Sequence, residues 1–157
     1  MTAAEILSTI QAKYPGLQEI PKVLGQARGD ELYLSVSAAE LHALCQFVRF
    51  DPGLSFDYLS FVTSVDWKTH FEVVYYLVST LHKHKLVLKV KVEDRTNPEV
   101  PTISTVWPTA DWQEREIYDM MGIKFKGHYN LRRILLPDDW EGFPLRKDYA
   151  PKPDRYD

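Results

Sequence analysis

The residues that could do chemistry gather between positions 111 and 149. Glu114, Arg115 and Glu116 are followed by Asp119, then His128, then Arg132 and Arg133. Helical carboxylates three residues apart are neighbours. In unlike environments such a pair can act as general acid and base, with an imidazole moving the proton. Glu116 and Asp119 would be the pair and His128 the shuttle. The same residue types also make a salt-bridged lock, in which Arg115, Arg132 and Arg133 neutralise Glu114, Glu116 and Asp119 and fix how a helix docks on the strand after it. Residue type favours the lock, because ion networks perturb carboxylates without catalysing anything. The sequence contains no glycine-rich phosphate loop, nucleophile elbow, HExxH or dinucleotide fingerprint.

A helix must position these groups. Thr109 is its expected N-cap, Asp111 stands in its first turn, and Gly122 ends it. Trp112, Glu116 and Met120 then share one face, widened by Ala110, Ile117 and Met121. Glu116 is therefore expected where an apolar side chain belongs, with Asp119 beside it. A strand over residues 131–136, opened by Arg132 and Arg133, is expected to bring the compensating cations. Trp140, Gly142 and Phe143 make an aromatic, irregular crossing, and Pro144, Pro151 and Pro153 forbid regular structure beyond it.

Upstream, Thr2 with Glu5 and Ser37 with Glu40 are capping-box pairs. They predict one helix ending near Lys13, and a second with Leu41, Leu44, Cys45 and Val48 inward, stopped by Asp51-Pro52-Gly53. Short strands are expected at 21–27 and 31–36 around an Arg28-Gly29-Asp30 hairpin tip, and longer ones at 58–65, 71–79 and 86–92. In the last, Leu86, Leu88, Val90 and Val92 alternate with Val87, Lys89 and Lys91, the mark of a sheet with one packed and one wet face. The strand before it is apolar on both faces and belongs inside the sheet. His82 and His84 read as a solvated hairpin end rather than a metal pair, since no third ligand accompanies them. Residues 93–101 read as a polar, proline-bearing loop.

With 157 residues, 45% hydrophobic and 26% charged, the chain can bury a core of its own. A net charge of -3 and a pI near 5.9 argue against nucleic-acid binding. One cysteine, Cys45, provides neither a disulfide framework nor a cluster site. No apolar run approaches the ~20 residues that span a bilayer, and the first residues do not begin a signal or transit peptide. Membrane contact is expected only through partners.

The segment from Glu114 to Tyr149, EREIYDMMGIKFKGHYNLRRILLPDDWEGFPLRKDY, closely resembles the signature of the 30 kDa subunit family of respiratory NADH:quinone oxidoreductase, complex I. Tyr129 follows His128 where that family usually has proline, and Phe143 precedes Pro144 where histidine is common. Close relatives serve membrane-bound nickel-iron hydrogenases and the photosynthetic version of complex I. The resemblance implies a structural subunit without catalytic, cofactor or metal residues of its own. FMN, iron-sulfur clusters and quinone would be held by the assembled complex. It implies a hetero-oligomer, with the large quinone-site subunit and iron-sulfur subunits of the hydrophilic arm as neighbours, peripheral on the cytoplasmic side of a bacterial plasma membrane. Glu114, Arg115, Glu116, Asp119, His128, Arg132 and Arg133 would lock the domain, while Trp140, Pro144, Leu145, Arg146, Lys147, Asp148 and Tyr149 would meet a partner. The fold expected is α+β: one two-layer domain over residues 1–143, with a mixed sheet packed by helices, and an extended arm over 144–157.

Overall fold

The computed structural model describes residues 1–21 and 31–151. Local capping chemistry starts the first two helices where expected. At the head of α1 (Ala3–Lys13), Glu5 N–H donates to the Thr2 hydroxyl at 3.3 Å and Thr2 N–H donates to the Glu5 carboxylate at 2.7 Å. Ser37 caps α2 (Ala38–Phe50), and Leu41, Leu44, Cys45 and Val48 are all buried, as their spacing predicts.

Five strands form the main sheet: β1 (Gln18–Glu19), β2 (Leu32–Ser35), β3 (Tyr58–Asp66), β4 (Phe71–Val78) and β5 (Lys85–Val92), in the order β1-β2-β5-β4-β3. α2 carries the chain from β2 to the far edge strand β3. The antiparallel meander then returns β5 to lie parallel beside β2, with Leu34 opposite Leu88. The sheet is thus mixed, and its inward residues join Ile6, Ile10 and the α2 stripe in one core. β4 is interior, as expected. Its inward Phe71, Val73, Tyr75 and Leu77 are buried, while Glu72, Val74 and Tyr76 on its other face are half-buried. There Phe61 stacks on Tyr76 at 5.1 Å, and the hydroxyls of Tyr33 and Tyr76 both donate to Glu31.

The strand expected at 21–27 and the tip at 28–30 lie outside the described residues except for Pro21. Other expectations need correction. His84 is buried rather than solvated: its Nε2 is 2.7 Å from the Leu54 carbonyl, and its ring stacks on His82. The polar loop contains a strand, β6 (Glu99–Pro101), paired in parallel with β7 (Lys124–Lys126). So short a strand has no period to read, and its partner is distant in sequence. Residues 131–136 form no strand. Thr109 makes no side-chain cap for α3 (Ala110–Met121). Instead, Gln113 on that helix accepts the Val62 N–H at 2.5 Å, covering part of the open edge of β3.

Candidate functional site

α3 sets the site. Its buried stripe is Ala110, Glu114, Ile117 and Met121, spaced i, i+4, i+7 and i+11, and Gly122 closes the helix at φ +72°. The face expected from Trp112, Glu116 and Met120 is displaced: Trp112 is 69% exposed and Glu116 is exposed. Glu114 is the carboxylate that enters the core. Asp119 is also closed to solvent, although it points away from that stripe. The irregular chain after residue 130 covers it.

Asp119 acts as a post for that chain. Its Oδ2 accepts the main-chain N–H groups of Ile134 (3.1 Å), Leu135 (2.7 Å) and Leu136 (3.0 Å), and Oδ1 accepts Arg133 at 2.8 Å. Successive N–H groups converging on one oxygen explain why no strand forms there: those donors are taken by a side chain. Arg133 spends its remaining reach on the carbonyls of Asp119, Trp140 and Gly142 and lies over the Phe143 ring. Burial raises the Asp119 carboxyl, but Arg133 and the three amides outweigh it and hold the group below its usual range.

Only one of the expected ion pairs forms. Arg133 meets Asp119, whereas Arg115 donates to the main-chain oxygens of Arg132 and Arg133, both at 3.2 Å. Arg132 and Glu116 are exposed, and among the described residues neither forms an ion pair. The acid-base alternative also comes apart. Glu116 is outside, Asp119 is tied to Arg133, and His128 sits near Glu114 and Asp111.

Glu114 has different company. Its Oε1 accepts the Ile103 N–H at 2.8 Å and its Oε2 the Thr102 hydroxyl at 2.5 Å. The buried imidazole of His128 lies 3.9 Å from it. Burial pushes the Glu114 carboxyl up to about 7, against the pull of Thr102 and Ile103 and with a push from Asp111. Tyr129 stacks on His128 and donates to Asp111 at 2.6 Å.

A second post holds residues 144–149. Asp66, at the end of β3, accepts a forked pair of bonds from Arg95 at 2.5 and 3.1 Å, and also the main-chain N–H of Lys147 at 2.9 Å. Arg95 and the main-chain amides of Lys147 and Lys68 hold the Asp66 carboxyl far below its usual range. Arg146 Nε donates to Met121 O at 2.6 Å, and Leu145 N–H donates to Met120 O at 3.0 Å. The Arg146 guanidinium lies 5.0 Å from the centres of both Phe71 and Phe143. Asp148 reaches Arg95 at 3.3 Å, and Tyr149 packs against Gly142. Leu145, Lys147 and Asp148 remain exposed, and Trp140 and Pro144 are half-buried. Sequence reasoning missed Asp66, Arg95 and Thr102. Only Asp66 carries a local signal, as a turn-opening aspartate that accepts Lys68 N–H at 2.7 Å.

Among the described residues, no three His, Cys, Asp or Glu side chains converge as a metal site. No helix there is long and apolar enough to cross a membrane. The charged motif binds the chain's own segment 131–149. The profile of the family described as "Respiratory-chain NADH dehydrogenase, 30 Kd subunit" matches residues 34–155, and the chain belongs to that family. The chain is 43% identical to the C-type subunit of the NADH-quinone oxidoreductase of Roseiflexus castenholzii, over 91% of this chain and 81% of that one. It is 41% identical to the corresponding NADH-quinone oxidoreductase subunit of Salinispora tropica over 92% of its own length, spanning 60% of that relative. A chain in the structure of the membrane-bound sulfane sulfur reductase, an archaeal respiratory membrane complex, superposes with a TM-score of 0.77 at 26% identity, covering 94% of this chain and 85% of that one.

Proposed function

We propose that this chain is a structural subunit of the peripheral arm of a proton-pumping NADH:quinone oxidoreductase. It packs there against the large quinone-site subunit, beside iron-sulfur subunits, on the cytoplasmic side of the membrane. FMN, the clusters and quinone are held by those partners, and this chain supports electron transfer by fixing their arrangement. The observation that carries this reading is how the signature residues are used. Asp119, Arg133 and Arg146 spend their bonds on holding residues 131–149 to the domain. That leaves a preformed surface with Trp112, Tyr129, Leu135 and Leu145 exposed. Large exposed apolar side chains near ordered main chain suit an interface anchored by a neighbour. Residues 144–149 present Leu145, Lys147 and Asp148 to it, with Trp140 and Tyr149 behind.

The likeness to a chain of the archaeal sulfane sulfur reductase supports a second reading, the equivalent subunit of a hydrogenase-type or other quinone-linked complex. A native pull-down with a tag ahead of Met1 separates the two. Recovery of flavin and iron-sulfur subunits that oxidise NADH is expected. Recovery of nickel-containing subunits would select the second reading, and a solitary protein under mild conditions would contradict both.

A further inference from the structure

The inner face of α3 carries an ionisable group that the scaffold role does not use. Glu114 is closed to solvent, and no Lys or Arg pairs with it among the described residues. Its Oε2 partner, Thr102 Oγ1, lies 2.7 Å from Ser104 Oγ. Ser104 is half-buried, whereas Thr102 is buried, so these two hydroxyls lead from the carboxylate towards the surface.

A hydroxyl both donates and accepts, which lets this pair serve either state of the acid. With Glu114 charged, Ser104 donates to Thr102 and Thr102 donates to Oε2. With Glu114 protonated, the acid donates to Thr102 Oγ1 and Thr102 donates to Ser104. Each arrangement satisfies every group at the same heavy-atom positions. The nearby imidazole is engaged at both ring nitrogens. His128 Nδ1 accepts the Asn130 N–H at 3.1 Å, so its hydrogen sits on Nε2, which lies 3.2 Å from the Asp111 carbonyl. Asp111 Oδ1 is 2.9 Å from the same Nε2 but has no hydrogen bond of its own.

We propose that Glu114 is a buried proton-binding site, loaded and emptied through the Thr102–Ser104 hydroxyl pair without backbone movement. Among the described residues, the ionisable groups around it are Cys45 from α2, Tyr75 from β4, Asp111 from its own helix and His128 from the turn after β7, and the 102–104 segment contributes hydroxyls and amides. Burial holds Cys45 and Tyr75 in their neutral forms. Asp111 favours the loaded state, consistent with the raised Glu114 carboxyl.

The test is carbon NMR of the full chain labelled at the glutamate carboxyl, followed from about pH 4 to about pH 9, a span that brackets ordinary glutamate titration. One resonance should titrate near neutrality and vanish in Glu114→Gln. Thr102→Val should move that midpoint up, Thr102→Ser should restore it, and Ser104→Ala should move it down, because the neutral acid loses its final acceptor. All glutamates titrating near the ordinary value of roughly 4.3 would overturn the proposal. So would a midpoint unmoved by both Thr102→Val and Ser104→Ala. Should Thr102→Val not fold, the sign of the Ser104→Ala shift decides alone.

Discussion

Glu114 and Asp119 lie five residues apart on one helix, both closed to solvent, yet their carboxyls are driven in opposite directions. Glu114 is set into the core between hydroxyl, amide and imidazole. Asp119 lies under a single layer of chain and meets a guanidinium with three amides. The difference teaches that the partners supplied, rather than burial itself, decide whether a buried acid is a fixed anion or a group that exchanges its proton. The fixed anion organises the signature segment.

Breaking the Asp119 side should have the larger effect. Asp119→Ala leaves Arg133 and three main-chain donors without their acceptor and should cost about 3–5 kcal/mol in urea unfolding, the range for breaking a buried pair. On the other side, the Glu114 carboxyl is raised, so the folded state binds the proton more tightly than the unfolded chain. Its contribution is fully present below about 4.5 and is lost as pH rises through about 7. Relative to Glu114→Gln, the wild type should therefore lose roughly 3 kcal/mol across that window, read from paired melting curves. A parallel pH dependence in the two proteins would erase the contrast.

Gly122→Ala probes the junction between the two sides. A Cβ there would stand 2.5 Å from Phe143 and 2.7 Å from Arg146 at φ +72°. Left-handed backbone alone costs about 1–2 kcal/mol for an L side chain, and the crowding should add to it, loosening residues 143–146 to protease. Glu116→Gln should do least, within about 0.5 kcal/mol, since the side chain is exposed.

Legibility in the sequence followed the range of the interaction. The α2 stripe and the Thr2–Glu5 capping box are local and stand where expected; Ser37 caps α2 as well, but Glu40 accepts the Ser37 hydroxyl rather than closing the second box. On α3, Trp112 and Met120 pull the expected face towards Glu116, because large apolar side chains outweigh Ala110 in any reading of period. The true stripe accepts Glu114 only because Thr102 and Ile103 arrive from another segment. Asp119 is hidden by chain with no periodicity, and Arg95 closes on Asp66 across 29 residues. Neither contact leaves a trace in local sequence. Arg115, expected to pair with carboxylates, serves carbonyls instead, a use that residue type does not distinguish.

Amide hydrogen exchange at Ile134, Leu135 and Leu136, compared between the wild type and Asp119→Asn, tests most directly whether a fixed anion organises the signature segment. All three amides should be protected in the wild type and should exchange at loop rates in the variant, while the α2 amides stay protected in both. Fast exchange of the three in the wild type, or equal protection in the two proteins, would contradict it.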